Sequence, residues 1–301
     1  MTKPATVVGL GEILWDLLPS GRQLGGAPAN FAYCSHLLGD RGIVASRVGG
    51  DQLGIDIRES LAKAGISDQF LQTDATQPTG TVRVQLDPAG QPKFEITQPA
   101  AWDCLEWTKE WQELAKSANA VCFGSLAQRS AKSRETILNF LSGTAAETLR
   151  IFDVNLRQSF YSTEIICESL KRANTVKLNH EEVPRVRELL NINAADDVSF
   201  CRVLMERFDL KLICITRGAN GSLLCDPHAV HEHPGLRVKV KDTIGAGDAF
   251  TAGLVHEHLR QHGLAEMNEA ANQMGAWVAS HSGGMPPSPA AGMERALADV
   301  S

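Results

Sequence analysis

The segment Asp242-Thr-Ile-Gly-Ala-Gly-Asp248-Ala-Phe250 sets three small residues, Gly245, Ala246 and Gly247, directly before an acid. Behind it Phe250, Leu254, Val255 and Leu259 recur at helical spacing, so Gly245–Asp248 are expected to form the first turn of a helix. The free N–H groups of such a turn and the positive end of the helix dipole make an anion site, and glycines let a phosphate approach the backbone. An acid there repels an anion unless the acid has a proton to take up. Asp248 therefore reads either as a helix cap or as a general base, and the segment alone leaves both open.

Other stretches carry polar groups at comparable places. Leu24-Gly-Gly-Ala-Pro-Ala-Asn30 runs a glycine pair, Gly25 and Gly26, into a helix start that holds Asn30 among apolar residues. Asn forms helix poorly without a hydrogen-bond partner, which a sugar hydroxyl would supply; a plain turn is the other reading. Gly49-Gly50-Asp51 repeats the pattern. Asp16 lies in the apolar Ile13–Leu18, where it reads as an acceptor for two adjacent hydroxyls, with Trp15 as a stacking face, or as an ordinary strand residue. Three further clusters follow apolar runs: Asp153-Val-Asn155-Leu-Arg157, Lys177-Leu-Asn179-His-Glu181-Glu182 and Thr216-Arg217-Gly218-Ala-Asn-Gly221. Carboxylates there would organise Mg2+ through water, since magnesium keeps much of its hydration. Gly218 and Gly221 would admit a nucleotide phosphate.

These groups need a scaffold, and the pattern predicts one. Buried strands are expected at Thr6–Val8, Ile43–Val48, Ala120–Phe123, Arg150–Asp153, Thr175–Leu178, Leu212–Thr216 and Ser222–Cys225. Helices are expected at Ala29–Leu38, Asp51–Ala64, Ser130–Leu141, Asp197–Phe208, Ala249–Arg260 and Glu266–Ser280. The alternation implies a mostly parallel sheet covered on both faces, with ligands at the carboxyl ends of its strands. From about Phe70 to Trp102 the rhythm breaks. Thr81–Asp87 alternates, Pro88-Ala-Gly90 turns and Gln91–Ile96 returns, as a half-exposed hairpin would. Ile13–Leu18, ending at Pro19-Ser-Gly21, is a second hairpin candidate.

The chain has 301 residues, 43% of them hydrophobic and 21% charged, with a net charge of −6. Without a long basic run it is not expected to bind nucleic acid. Its seven cysteines include no CxxC pair, which argues against disulfides or a zinc knuckle and for a reducing compartment. The N-terminus is too polar for a signal peptide and no apolar run would span a bilayer, so a cytoplasmic protein without membrane contact is expected. There is no Walker loop, no Gx-Ser-xGly elbow and only a fragment, Gly9-Leu-Gly11, of a dinucleotide fingerprint.

The order and spacing of Gly25-Gly26-Ala-Pro-Ala-Asn30, Gly49-Gly50-Asp51, Asn179-His-Glu181-Glu182 and Asp242-Thr-Ile-Gly-Ala-Gly-Asp248 resemble the ribokinase-like (PfkB-type) carbohydrate kinases, from about Gly9 to Pro289. The resemblance implies an α/β fold: a three-layer α/β/α sandwich with a mostly parallel central sheet, in one domain over 1–301. A small β-sheet lid would be formed by about 12–22 and 70–103. It implies transfer of the ATP γ-phosphoryl group to a sugar hydroxyl. Asp248 would be the base, and the amides of Gly245, Ala246 and Gly247 the anion hole. Asp16, Gly25, Gly26, Asn30, Trp102 and Arg157 would meet the sugar. Asn179, Thr216, Gly218, Gly221, Gly247 and Asn272 would meet the nucleotide. Glu182 would tune Mg2+ through water, and Asp242 and Ile244 border a place where some relatives hold K+. A helix N-terminus would stabilise the transferring group without a lysine. Homodimers through the lid occur in the family, and the hairpin's alternation permits one.

Gly11-Glu-Ile-Leu-Trp-Asp16-Leu-Leu-Pro19 and Pro99-Ala-Ala-Trp-Asp103 resemble bacterial fructokinases, which implies D-fructose as acceptor and fructose 6-phosphate as product. Relatives acting on 2-keto-3-deoxygluconate present Tyr and Arg to its carboxylate, whereas Phe94–Ala101 holds no cation here; a neutral sugar fits better. Ribose, another ketose, 2-keto-3-deoxygluconate or a nucleoside are the alternative acceptors. A non-catalytic sugar sensor on the same fold is the alternative outside enzymes, against which the intact Asp248 argues. Arg217 stands where many relatives have an apolar residue.

Overall fold

In the stretch Thr6–Leu10 the neighbours Val7 and Val8 are both fully buried, yet they belong to different hydrophobic cores. Strand side chains alternate between faces, so a strand buried at every position must be covered on both sides. The computed structural model, which describes residues 4–19, 21–86, 92–290 and 292–300, shows that arrangement.

The chain runs through β1 (Thr6–Leu10), β2 (Leu14–Leu18), β3 (Gly21–Gly25), α1 (Ala27–Leu37), β4 (Arg41–Gly49), α2 (Gln52–Lys63), β5 (Leu71–Asp74), β6 (Gly80–Leu86) and β7 (Pro92–Ile96). It continues through α3 (Lys109–Ser117), β8 (Ala120–Gly124), α4 (Ala131–Ser142), β9 (Leu149–Asp153), α5 (Thr163–Arg172), β10 (Thr175–Asn179), α6 (Glu182–Leu190), α7 (Asp197–Phe208), β11 (Leu212–Thr216), β12 (Ser222–Cys225) and β13 (Val230–His233). Three helices close it: α8 (Ala246–His258), α9 (Leu264–Ala279) and α10 (Met293–Ala298).

Nine of these strands form one sheet in the order β13-β12-β11-β10-β9-β8-β1-β4-β5. All its pairings from β5 to β11 are parallel; β12 and β13 are antiparallel additions at one edge. One face packs Val8, Ile43, Val121 and Phe152 against Trp111, Phe140, Ile166, Val186 and Phe200 of α3 to α7. The other packs Val7, Val44, Cys122 and Ile151 against Phe31, Ile57, Ala252 and Met274 of α1, α2, α8 and α9. The three-layer expectation is met.

Four strands form a separate small sheet in the order β3-β2-β6-β7, with antiparallel hairpins β2–β3 and β6–β7 joined by a parallel β2–β6 pairing. The expected turn Pro88-Ala-Gly90 lies outside the described residues. Within the segment read as part of the lid, Leu71–Asp74 instead pairs with β4 as the last strand of the large sheet. Its Leu71 and Asp74 are buried, the latter against Arg47 at 3.0 Å. Among the described residues no helix is long and apolar enough to cross a membrane.

Candidate active site

The chain reverses its winding between β1 and β8: β4 and β5 lie to one side, β8 to β13 to the other. A crevice opens at the carboxyl ends of the strands at such a reversal. The β2–β3 hairpin leaves the end of β1 directly, and the groups singled out in the sequence converge between it and the large sheet.

Gly245 caps α8 with φ 76°, a left-handed conformation that suits glycine. The Ala246 amide turns back to the Thr243 carbonyl at 3.2 Å, so it is the least free of the expected anion-hole donors. Among the described residues the amides of Gly245 and Gly247 donate to no carbonyl. The turn is held from outside. Asp242 accepts from the Ile244 amide and, across the chain, from the Gly283 amide, each at 3.0 Å. A Cβ on Gly245 would stand 2.4 Å from Gly284 Cα, and one on Gly284 would stand 2.6 Å from Asn30 Nδ2.

Asp248 lies in this first turn, and Asn30 Nδ2 donates to its Oδ2 at 2.8 Å. The residue read as a sugar contact is thus also the orienter of the acid. Asn30 Oδ1 is buried and has no partner among the described residues. Burial, then the nearby Asp153 charge, push the Asp248 carboxyl up to about 6, against the pull of Lys177 and Asn30. Glu12, which no motif in the sequence marks, shares this space, since the charge of Asp248 acts on it. It is 2% exposed, its Oε2 has no partner among the described residues, and burial with the charge of Asp248 raises it to about 7.

A buried lysine also lies beside the turn. Lys177 is opposite Asp153 in the β9–β10 register, and its Nζ lies 3.0 and 3.1 Å from the two Asp153 oxygens. A Cβ on Gly247 would stand 3.1 Å from that Nζ. A lysine between Val176 and Leu178 in a buried strand must be paired, and that is its signal in the sequence.

On the small sheet, Asp16 Oδ2 lies 2.4 Å from where a Cβ on Gly25 would be, so Gly25 makes room for the acid. Burial raises the Asp16 carboxyl to about 6, while Arg157 lowers it and Asp242 adds to the rise. Arg157 is exposed, follows β9, and its charge also reaches Glu12 and Asp248. Asp16, Asn30, Arg157 and Asp248 therefore share one region. Gly26 is packed on the Glu12 carbonyl, where a Cβ would come within 2.6 Å.

The tryptophans do not join them. Trp102 is fully buried, and the Arg129 guanidinium covers its ring at 3.9 Å. Trp15 donates to the Leu53 carbonyl at 3.0 Å, and its face is covered by Arg22 at 4.6 Å. Trp15 therefore presents no open stacking face here, and the ring of Trp102 is packed rather than exposed. Phe94–Ala101 holds no cation of its own, but Arg129 reaches it from outside the segment. It donates to the Thr97 carbonyl at 2.7 Å, but Asp103 neutralises it with two contacts of 2.8 Å.

On the nucleotide side the positions divide. Gly218 faces open space, as an approach for a ligand requires; Gly221 is packed on the His233 carbonyl, within 1.9 Å of where a Cβ would be. The Thr216 hydroxyl donates to the Leu178 carbonyl at 3.4 Å. Arg217 bridges Asp197 at 3.0 Å and Glu232 at 3.2 Å, which accounts for a charge at that position. Asn272 Nδ2 donates to Ser222 Oγ and the Asn268 carbonyl, both at 2.8 Å, inside a buried polar network. Asn179 and Glu182 form a reciprocal cap. Asn179 Oδ1 accepts from the Glu182 amide at 2.9 Å, and Glu182 accepts from the Asn179 and Leu156 amides at 2.8 Å each.

A model of known proteins described as "pfkB family carbohydrate kinase" matches residues 21–291. A fructokinase of Escherichia coli is 31% identical over 269 residues, covering 83% of either chain. Among solved structures, a sugar kinase of Pyrococcus horikoshii superposes with a TM-score of 0.81 at 27% identity, over 98% of this chain and 99% of that one. A fructokinase of Vibrio cholerae O395, solved with fructose, ADP and calcium bound, gives 0.81 at 25% identity over 99% of each.

Proposed function

Because the chain belongs to the pfkB family of carbohydrate kinases, we propose that it moves the γ-phosphoryl group of ATP onto the C6 hydroxyl of D-fructose, releasing ADP and fructose 6-phosphate. The observation that carries the reading is Asp248: an acid raised to about 6, oriented by Asn30 and set in a helix turn with free amides. The fructokinase relatives support fructose as the acceptor.

In this reading Asp248 takes the proton of the attacking hydroxyl as the new O–P bond forms and the bond from phosphorus to the β–γ bridging oxygen breaks. The Gly245 and Gly247 amides meet the developing negative charge, with Ala246 shaping the turn. Asp16 and the free Asn30 Oδ1 accept from sugar hydroxyls, and the small sheet lies over them as a lid. Gly218 gives the nucleotide its approach. Magnesium carried by the nucleotide would neutralise phosphate charge. Glu182 fits it only through water, because both carboxylate oxygens are held by backbone amides. Asp242 likewise spends its oxygens on two loops, and the reading needs no step through a monovalent cation there.

Arg157 makes no ion pair among the described residues, which favours one second reading, an acidic sugar such as 2-keto-3-deoxygluconate. A coupled ADP-release assay with Mg·ATP over fructose, ribose, other ketoses, nucleosides and 2-keto-3-deoxygluconate decides. Fructose should give the highest kcat/KM. Preference for the acid would replace the first reading by the second, and no turnover on any acceptor would defeat both.

A further inference from the structure

Lys177 is the buried cation nearest the proposed phosphoryl-transfer turn. Its ammonium takes both oxygens of Asp153 at 3.0 and 3.1 Å, and both side chains are buried. Those are its only acceptors among the described residues, so one of its three N–H groups is not used by the pair. The ammonium also lies directly under α8, 3.1 Å from where a Cβ on Gly247 would stand. A side chain at 247 would strike it; glycine lets the charge sit against the backbone of the turn. Several carboxylates share this space: Asp153 and Glu182, whose charges act on Lys177, Asp248 above it, and Glu12 beside Asp248. Arg157 is the other cation whose charge reaches Asp248, and it is exposed to solvent screening.

We propose that Lys177 is a positioning residue for phosphoryl transfer: pinned by Asp153, it sets a fixed positive charge behind the Gly247 amide, which favours negative charge on Asp248 and on the phosphoryl group above the turn. The proposal rests on Asp248 being the base. A buried ion pair is weak evidence for stability, because desolvation offsets attraction. Here the pair is placed where it acts on a third group. The groups facing Asp248 are Asn30 and Cys34 from α1, Glu12 after β1, Cys122 from β8, Asp153 from β9, Arg157 beyond it and Lys177 from β10. Lys177 is the buried one among them that favours the ionised acid by its charge.

The test is the pH dependence of kcat in full-length Lys177→Met and Lys177→Arg, with Asp248→Asn as control and sugar affinity followed by equilibrium binding. Lys177→Met should move the acid limb of kcat up by about one pH unit and lower kcat about 10- to 100-fold at neutral pH, with sugar affinity kept. Lys177→Arg should keep the limb in place. A folded Lys177→Met with unshifted limb and near-normal kcat overturns the proposal. If Lys177→Met does not fold, Lys177→Met/Asp153→Asn removes the pair without stranding a buried charge; at least a 10-fold loss of kcat is expected, and normal kcat overturns the proposal. Normal turnover in Asp248→Asn would instead defeat the reading of the site itself.

Discussion

Asp248 is an acid kept where its charge is costly, and its neighbours compete over that charge. Since Asp248 must be ionised to take a proton and is raised to about 6, kcat/KM of the free enzyme should fall as pH drops through about 6, roughly tenfold per unit below it. A profile flat from pH 7 to 5 would leave Asp248 as no more than a cap. Asp248→Asn should lose about 10²-fold or more in kcat while retaining sugar binding, checked by single-turnover assay and calorimetry. The sequence exposed Asp248, Asn30 and Asp16 because unusual residue types stood at unusual places. It did not expose the roles of Lys177 and Glu12. Each is one polar residue in an apolar strand or beside one, and its partner arrives only through sheet register: Lys177 and Asp153 are 24 positions apart.

At the scale of elements, Gly49-Gly50-Asp51 has a mechanical use that its spacing did not declare. Asp51 caps α2 through the Gly54 amide at 2.9 Å and grips Thr79 through its amide at 2.8 Å and its hydroxyl at 2.6 Å. Thr79 directly precedes β6, so the acid ties one root of the small sheet to the body. Asp51→Ala should destabilise by about 1 kcal/mol or more through the lost cap. It should also raise the sugar KM more than the ATP KM; equal changes in both would show that the clasp does not serve the lid. Strands of the sheet interior and long helices were legible, because continuous apolar runs and i, i+3, i+4 repeats mark them. The helices α3, α5, α6 and α10 carry weak signals, being only 9, 10, 9 and 6 residues long, with α3 and α5 mostly polar as well. The edge strands β5 and β13, Leu-Gln-Thr-Asp and Val-His-Glu-His, carry weak signals too. An edge strand has one side to cover and needs no apolar run.

For the whole molecule the same crowding of carboxylates sets how stability varies with pH. Glu12 at about 7, Asp16 at about 6 and Asp248 at about 6 lie above their unfolded values of 4.5, 3.8 and 3.8, so the folded chain binds more protons than the unfolded one in between. Stability of the ligand-free protein should therefore rise as pH falls from about 7 toward 4.5. Half-buried His258, lowered from 6.5 by desolvation, opposes this but is a single group. Below about 4 the trend reverses, because Asp74, lowered to about 2, and Asp51, also lowered, contribute stability that is lost as they are protonated. Calorimetric melting from pH 8 to 3 should show a maximum near pH 4 to 4.5, and Glu12→Gln should flatten its alkaline side. A melting temperature that falls steadily from pH 8 to 5 would contradict the assignment.

The contact of Gly245 with Gly284, and of Gly284 with Asn30, has a consequence for recombining or redesigning such chains. Three positions far apart in the gene occupy one space too small for a methyl group, so they behave as a single inherited character. A chimera with a crossover anywhere between α1 and α8 takes Asn30 from one parent and both glycines from the other, and it will fold around this turn only if the parents agree at all three. In a mutational library they count as one site, not three.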